Sequence, residues 1–201
     1  MPDLSCYENS WYSPGRSRRD RALWFFFGAP IVRFSLLPSS AVRRVILRWF
    51  GAKVGRGVVI RPGVRVKYPW NLSIGDSSWI GEDAWIDNLV EIKVGANVCV
   101  SQGAYLCTGN HDWSDPKFAL QVRPIELEDG SWVGTHALIC PGVTIGKCGV
   151  AAAGSVVTKS VPAFEIHSGN PAQFVKRRVF RENEHSPAEL VYSSSHSTPA
   201  D

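Results

Sequence analysis

The sequence lacks a long hydrophobic run and a secretory signal. No segment reaches roughly eighteen consecutive apolar residues, so we expect no membrane-spanning helix. The opening residues, MPDLSCYENS, do not have the basic-then-apolar order of a signal peptide. The five cysteines are an odd number without a CxxC pair, which predicts reduced thiols in a cytoplasmic protein.

The sequence also has little excess charge. Its 201 residues carry a formal net charge of +4, with 44% hydrophobic and 20% charged residues. These values are ordinary for one soluble globular domain. So mild a charge gives no argument for a nucleic-acid partner, but it suits an anionic small ligand.

What the sequence does have is a period of six residues. From Val133 it reads VGTHAL, ICPGVT, IGKCGV, AAAGSV and VTKSVP, and related sixes occur upstream from Val54. A period of six matches neither an α-helix nor a half-buried strand. It is typical of a parallel β-helix, in which three sixes close one triangular coil and the first-place aliphatic residues stack inward. The fold class is therefore predicted as an all-β solenoid.

The remaining segments flank or interrupt this repeat. We predict an N-terminal arm and helical cap over 1–52, the β-helix over 53–162 with an insertion at about 107–130, a closing segment over 163–181 and a disordered tail over 182–201.

A helix capped by Ser39 or Ser40 is predicted near the end of the N-terminal segment. Its apolar face is predicted to contain Val42, Val45, Ile46, Trp49 and Phe50, with Arg43, Arg44 and Arg48 pointing away. This aromatic, arginine-rich segment either covers the first coil or lies in a membrane interface.

The insertion contains the first chemical candidate, His111, beside Gly109 and Asp112. Histidine is well suited to taking a proton from a hydroxyl near neutral pH, and Asp112 could orient the imidazole. A metal site is the alternative, although the sequence contains no HxxxH pair.

A second candidate combines small and basic residues. Gly134, Ala153 and Gly154 would leave a flat coil surface, and Thr158, Lys159 and the Lys176–Arg178 cluster could bind phosphate groups at its end. A solvated charge run is the other interpretation.

Several motifs resemble the hexapeptide-repeat acyltransferases, a family of left-handed parallel β-helices. They are GNHDW, WVGTHALICPGVTIG, AAAGSVVTKSVP and GNPA. Within that family, FGAKVG, WIGEDAWIDNL and SQGAYLCTGNHDWSDPKF look most like sugar O-acetyltransferases of colanic-acid and other exopolysaccharide clusters, and more distantly like maltose and galactoside acetyltransferases.

The resemblance implies direct acetyl transfer from acetyl-CoA to a sugar hydroxyl, without a metal. His111 would be the general base, and a backbone N–H near Thr135 would hold the oxyanion. The implied acetyl-CoA residues are Trp132, Gly134, Thr135, Ala153, Thr158, Lys159, Arg177 and Arg178. The implied acceptor residues are Asp87, Asn88, Asp112 and Trp113.

The resemblance also implies a homotrimer with active sites between subunits. Its acceptor is a small or lipid-linked sugar, and peripheral membrane contact through the N-terminal segment remains open. Two other functions share the fold: a zinc hydratase of the γ-carbonic-anhydrase kind and a non-enzymatic scaffold.

Overall fold

The computed structural model describes residues 3–36 and 39–181, so the predicted disordered tail lies outside the described residues. The N-terminal part is helical. It comprises a 3-10 helix at Leu4–Cys6, helix α1 at Arg18–Leu23, a π-helical segment at Trp24–Gly28, helix α2 at Ala29–Arg33 and helix α3 at Ser40–Trp49. A further 3-10 helix spans Pro69–Asn71.

Short strands follow from Lys53 onward. In chain order they are β1 (Lys53–Val54), β2 (Val59–Ile60), β3 (Arg65–Val66), β4 (Leu72–Ile74), β5 (Trp79–Ile80), β6 (Trp85–Asp87), β7 (Ile92–Val94), β8 (Cys99–Val100), β9 (Tyr105–Cys107), β10 (Gly109–His111), β11 (Leu120–Val122), β12 (Ile125–Leu127), β13 (Trp132–Val133), β14 (Leu138–Ile139), β15 (Thr144–Ile145), β16 (Val150–Ala151), β17 (Val156–Val157), β18 (Glu165–Gly169) and β19 (Ala172–Arg177).

The strands form three faces of a solenoid. Face A has the order β1-β4-β7-β12-β15, face B has β2-β5-β8-β13-β16-β18-β19, and face C has β3-β6-β9-β14-β17. Neighbours are parallel within each face, except that β19 returns antiparallel to β18. We name the turns between faces the AB, BC and CA corners. The predicted hexapeptide β-helix and its N-terminal helical region are confirmed.

The core follows from the first place of each six. Val133, Ile139, Ile145, Ala151 and Val157 are all buried, and each lies in register with aliphatic residues of neighbouring coils. On face B, for example, Val133 lies between Val100 and Ala151. Stacking of this kind removes every coil's apolar residues from water and gives a rigid frame.

Helix α3 lies over the first coil, but its predicted apolar face is right only at Ile46, which is buried, and at Phe50, which packs against the core. Ser39 caps the helix as expected, since its Oγ accepts from the Val42 N–H. The buried residues, however, are Arg43, Ile46 and Leu47, whereas Val42, Val45 and Trp49 are exposed.

The physical reason is that the first coil leaves main-chain carbonyl oxygens at its end, and arginine side chains can donate hydrogen bonds to them. Arg44 donates to the Val58 carbonyl and Arg48 to the Val54 carbonyl of the first coil. The buried Arg43 guanidinium donates to Val32 O and Phe34 O, both at 2.9 Å, and thereby ties α3 to the end of α2.

Candidate active site

His111 lies in an antiparallel hairpin, β10–β11, that leaves the CA corner between β9 and β12. Its Nδ1 lies 2.9 Å from the Phe118 carbonyl oxygen, and the imidazole stacks flat on the Phe118 ring, with centroids 4.4 Å apart. A carbonyl can only accept, so Nδ1 carries the proton. The Nε2 lone pair is therefore free to act as a base.

The carboxylate beside His111 shapes the hairpin turn and does not orient the imidazole. Asp112 Oδ1 accepts from the Ser114 N–H at 2.9 Å, and the Asp112 N–H donates to the Ala119 carbonyl at 2.8 Å. The hydrogen bonds from Ser114 hold the pKa of the Asp112 carboxyl below its usual value. The next residue, Trp113, is 84% exposed. The sequence left the orienting partner of His111 open, and the structure gives the Phe118 carbonyl in place of the Asp112 carboxylate.

The BC corner presents main chain with very small side chains. Gly134 and Thr135 lie in one BC turn, and Ala153 and Gly154 lie in the same turn of the next coil. A Cβ on Gly134 would come 2.5 Å from the Ala153 nitrogen, so only glycine permits this stacking. Nothing lies within 4 Å of the place a Cβ on Gly154 would occupy. An extended ligand has room along this corner.

The same corner leaves a donor available. The Thr135 N–H has no hydrogen-bond partner within residues 3–36 and 39–181. At the AB corner the corresponding N–H of Ala96 donates to Asp129 Oδ1 of the following coil, at 2.8 Å. Ala153 holds the equivalent position in the coil that follows Thr135, and its methyl side chain has no oxygen to accept a hydrogen bond. The corner therefore has a main-chain donor and the space for a ligand oxygen to reach it.

Trp132 lies on face B next to this corner. Its indole is 45% exposed, and its Nε1–H donates to Ser101 Oγ at 2.9 Å. The hydrogen bond fixes the orientation of the ring, so the exposed part forms a defined apolar wall beside Gly134.

The basic residues predicted as one group do not meet within one chain. Thr158 and Lys159 are exposed at the CA corner, where β17 ends. Arg178 Nη1 donates to the Gly130 and Cys148 carbonyls, at 3.0 and 3.2 Å, which places it at the AB corner. Arg177 ends β19 and is exposed.

Two predicted acceptor residues, Asp87 at the end of β6 and Asn88 directly after it, differ in burial and in contacts. Asp87 forms an ion pair with Lys67 at 2.9 Å and accepts from the Tyr105 hydroxyl at 3.1 Å. Asn88 is fully buried, and its side chain bonds both the N–H and the carbonyl of Tyr68. Asn88 thus has a structural role in this chain, and its contact with the acceptor stays a prediction.

His111 and Thr135 lie beyond opposite edges of face C. Cys140, where face C reaches the CA corner, follows Thr135 by five residue steps, and this stretch spans about 16 Å in extended chain. The two groups therefore lie at different corners of the coil.

The sequence predicts an N-terminal arm, but not the contacts that this arm makes beside the hairpin. The Asp3 N–H donates to the Pro116 carbonyl of the hairpin at 2.9 Å, and the Tyr12 hydroxyl donates to Leu89 O at 2.7 Å. The Tyr7 ring lies 5.7 Å from the imidazole. Burial raises the pKa of the Tyr12 hydroxyl above its ordinary range. Contacts between residues so distant in the chain leave no periodic signal to find.

Two observations concern metals and membranes. Among the described residues, no group of three or more His, Cys, Asp or Glu side chains is placed to hold a metal ion. No helix in that part of the chain is long and apolar enough to cross a bilayer.

Comparison with known proteins identifies the family, although no family model matches the sequence. The chain is 42% identical, over 182 residues, to a putative colanic acid biosynthesis acetyltransferase, WcaF, of Escherichia coli K12, covering 90% of this chain and 100% of that one. A hexapeptide-repeat acetyltransferase from Vibrio cholerae superposes with a TM-score of 0.74 at 25% identity, covering 82% and 95% of the two chains. A galactoside acetyltransferase solved with coenzyme A gives a TM-score of 0.70 at 25% identity, covering 79% and 80%. The chain therefore belongs to the hexapeptide-repeat acetyltransferases.

Proposed function

We propose that the protein transfers the acetyl group of acetyl-CoA to a sugar hydroxyl during exopolysaccharide biosynthesis in the cytoplasm. The names of the similar proteins support the donor and the pathway class. The observation that carries the chemistry is the hydrogen bond from His111 Nδ1 to the Phe118 carbonyl, because it leaves Nε2 as an oriented base.

The proposed reaction is a direct transfer. His111 Nε2 removes the proton of the sugar hydroxyl, and the sugar oxygen attacks the thioester carbonyl. The carbon–sulfur bond breaks as the new ester forms, and the imidazolium returns its proton to the departing CoA sulfur. No acyl-enzyme is required.

The BC corner would bind the thioester end of the donor. The Thr135 N–H would donate to the carbonyl oxygen as negative charge develops there, in a space kept open by Gly134 and Ala153. Trp132 would border the pantetheine chain. Thr158, Lys159 and the exposed Arg177 remain candidates for the CoA phosphates, whereas the guanidinium of Arg178 is already bonded to carbonyls.

We further propose that each active site joins two subunits of a homotrimer. The separation of His111 from Thr135 by the width of face C supports this arrangement. The CA corner of one copy would face the BC corner of the next, and a closed ring of three would contain three equal sites.

The base assignment is tested with His111→Phe, which keeps an aromatic ring on Phe118 but has no basic nitrogen. We expect kcat to fall by about 10²–10⁴-fold, while acetyl-CoA still raises the melting temperature. Normal turnover in this variant would refute the assignment. Metal analysis of the same preparations separates the zinc-hydratase alternative, and absence of acetyl-CoA stabilisation would favour the scaffold.

The shared site is tested by complementation between His111→Phe and Ala153→Asp, a variant that blocks the Thr135 N–H and leaves Gly134 in place. Each variant alone should be inactive. In trimers assembled from equal amounts of both, about a quarter of the sites combine an intact His111 with an intact BC corner. Recovery of that share of activity supports sites between subunits, and a mixture as inactive as its parents contradicts them.

A further inference from the structure

A large groove separates the N-terminal helices from face C. It has a volume of about 840 Å³, and its lining includes Arg21, Trp24, Arg33, Arg65, Trp85 and Asp87. We name it the aromatic groove. Its volume is in the range of sites that enclose a whole small molecule.

The aromatic groove carries uncompensated positive charge. The one carboxylate that lines it, Asp87, is already paired with Lys67. Arg21, Arg33 and Arg65 form no ion pair with a carboxylate within the described part of the chain. Three guanidinium groups around one cavity favour an anion with several oxygens, and a phosphate or diphosphate fits this geometry.

Two of these arginines have donors that no carboxylate or carbonyl of the described residues occupies. The Nε atom of Arg21 is buried, and no hydrogen-bond partner for it exists among the described residues. The Arg65 guanidinium lies over the Trp85 ring, 4.6 Å from its centroid, which leaves its N–H edge open.

Beside the groove, several large apolar side chains are exposed to solvent. Phe25, Phe26 and Phe27 are 63 to 69% exposed, and Phe34 and Leu36 are 55 and 82% exposed. The π-helical segment turns three consecutive phenylalanines outward while Trp24 stays buried, with its Nε1 bonded to the Val66 carbonyl. Large exposed aromatic residues beside arginines are typical of a surface that enters the membrane interface.

We propose that the aromatic groove binds a phosphate-linked membrane lipid that carries the acceptor sugar, an inference that rests on the proposed acetyl transfer. The phosphate group lies among Arg21, Arg33 and Arg65, and the hydrocarbon chain leaves along Phe25 and Phe26 into the bilayer. A nucleotide sugar would supply the phosphates, but it would not use the apolar surface.

The position of the groove connects this lipid to the catalytic hairpin. Asp87 pairs in register with Cys107, and its carbonyl accepts from the Thr108 N–H at 3.2 Å. The chain then continues through β10 to His111. A sugar attached to a phosphate in the groove would therefore extend past Asp87 toward the base.

The test is vesicle flotation of the full chain. One set of vesicles contains phosphatidylcholine alone and the other also contains polyprenyl phosphate. We expect flotation only with polyprenyl phosphate. Arg33→Glu reverses one exposed charge and should weaken this binding by roughly tenfold or more. The double variant Phe25→Ser, Phe26→Ser should weaken it similarly, because it removes the surface for the chain.

Matched controls lie on remote surfaces. Arg56→Glu changes an exposed arginine of the AB corner, and Phe174→Ser changes an exposed phenylalanine of β19, so both should float as the wild type does. Arg65→Gln provides a second charge variant. All variants should keep their stabilisation by acetyl-CoA, which reports a folded donor site.

Several results would overturn the proposal. These are flotation with neither or with both kinds of vesicle, full flotation of Arg33→Glu and Arg65→Gln, or full flotation of the Phe25→Ser, Phe26→Ser double variant. Failure of the proposed enzyme function is distinguishable, since it appears as loss of acetyl-CoA stabilisation in a protein that still floats.

Discussion

Ala153→Asp should make the protein more stable and inactive at once. At the AB corner, Asp76 Oδ1 accepts from the Arg56 N–H of the preceding coil at 2.7 Å. Ala153 holds the same place relative to Thr135, since the main chain stacks equally closely at both corners. An aspartate at position 153 is therefore expected to accept from the Thr135 N–H.

The two effects have different sizes. The new hydrogen bond should add about 0.5–1.5 kcal/mol to the free energy of unfolding. Occupying the proposed oxyanion donor should lower kcat by about 10²–10³-fold, which corresponds to about 2.7–4 kcal/mol of transition-state stabilisation. Stability gained at the expense of activity is expected where a site keeps a donor unsatisfied for its ligand.

The assay combines urea unfolding, at one fixed protein concentration, with acetyl transfer at saturating acetyl-CoA. Ala153→Asn tests the hydrogen bond without the charge and should behave similarly. Asp129→Ala is the matched control, because it removes the acceptor from Ala96 at the AB corner. It should lower stability by about 1 kcal/mol and leave activity intact. Wild-type turnover of Ala153→Asp would refute a catalytic role for the Thr135 N–H.

Three further predictions concern the elements around the site. Arg43→Met removes two charge-assisted hydrogen bonds, so urea unfolding should show a loss of about 3 kcal/mol or more; a loss below 1 kcal/mol would contradict this. The raised pKa of Tyr12 favours its protonated form in the folded chain. The free energy of unfolding should therefore decrease as pH rises above about 10. In Tyr12→Phe, denaturation curves should lack the part of this decrease that Tyr12 causes. The lowered pKa of Asp112 means that its contribution is present above its ordinary pKa and is lost as pH falls below about 4. The hydrogen-exchange protection factor of the Ser114 amide should then fall, whereas in Asp112→Ala it should be low at every pH.

The period of six predicted the fold because it reports which side chains point inward. The period also predicts at which corner of the coil each residue lies, and residue type alone does not. Gly134 and Ala152 are eighteen residues apart and so share a corner, whereas Thr158 lies six further on and falls at the next one. Counting in steps of eighteen residues would have shown from the sequence that Thr158 and Gly134 lie at different corners.

Other features were beyond any pattern of residue types. The partner of His111 is a main-chain carbonyl, which every residue possesses, so nothing in the letters around Phe118 marks it. The polarity of Asn88 suggested a ligand contact, but its amide instead satisfies the main chain of Tyr68 inside the fold. The face of α3 was predicted only in part because arginine was assumed to prefer water, whereas main-chain carbonyls of the coil and of the end of α2 accept hydrogen bonds from it.

The two ends of the solenoid bear on how the protein polymerises. A stack of parallel strands would normally present open edges to which further copies could add without limit. At one end, Arg44 and Arg48 occupy carbonyls of the first coil. At the other, β19 turns back on β18 and exposes Lys176 and Arg177 along its length. With both ends blocked in this way, coils of different copies should not stack end to end, and concentrated solutions should contain no fibres.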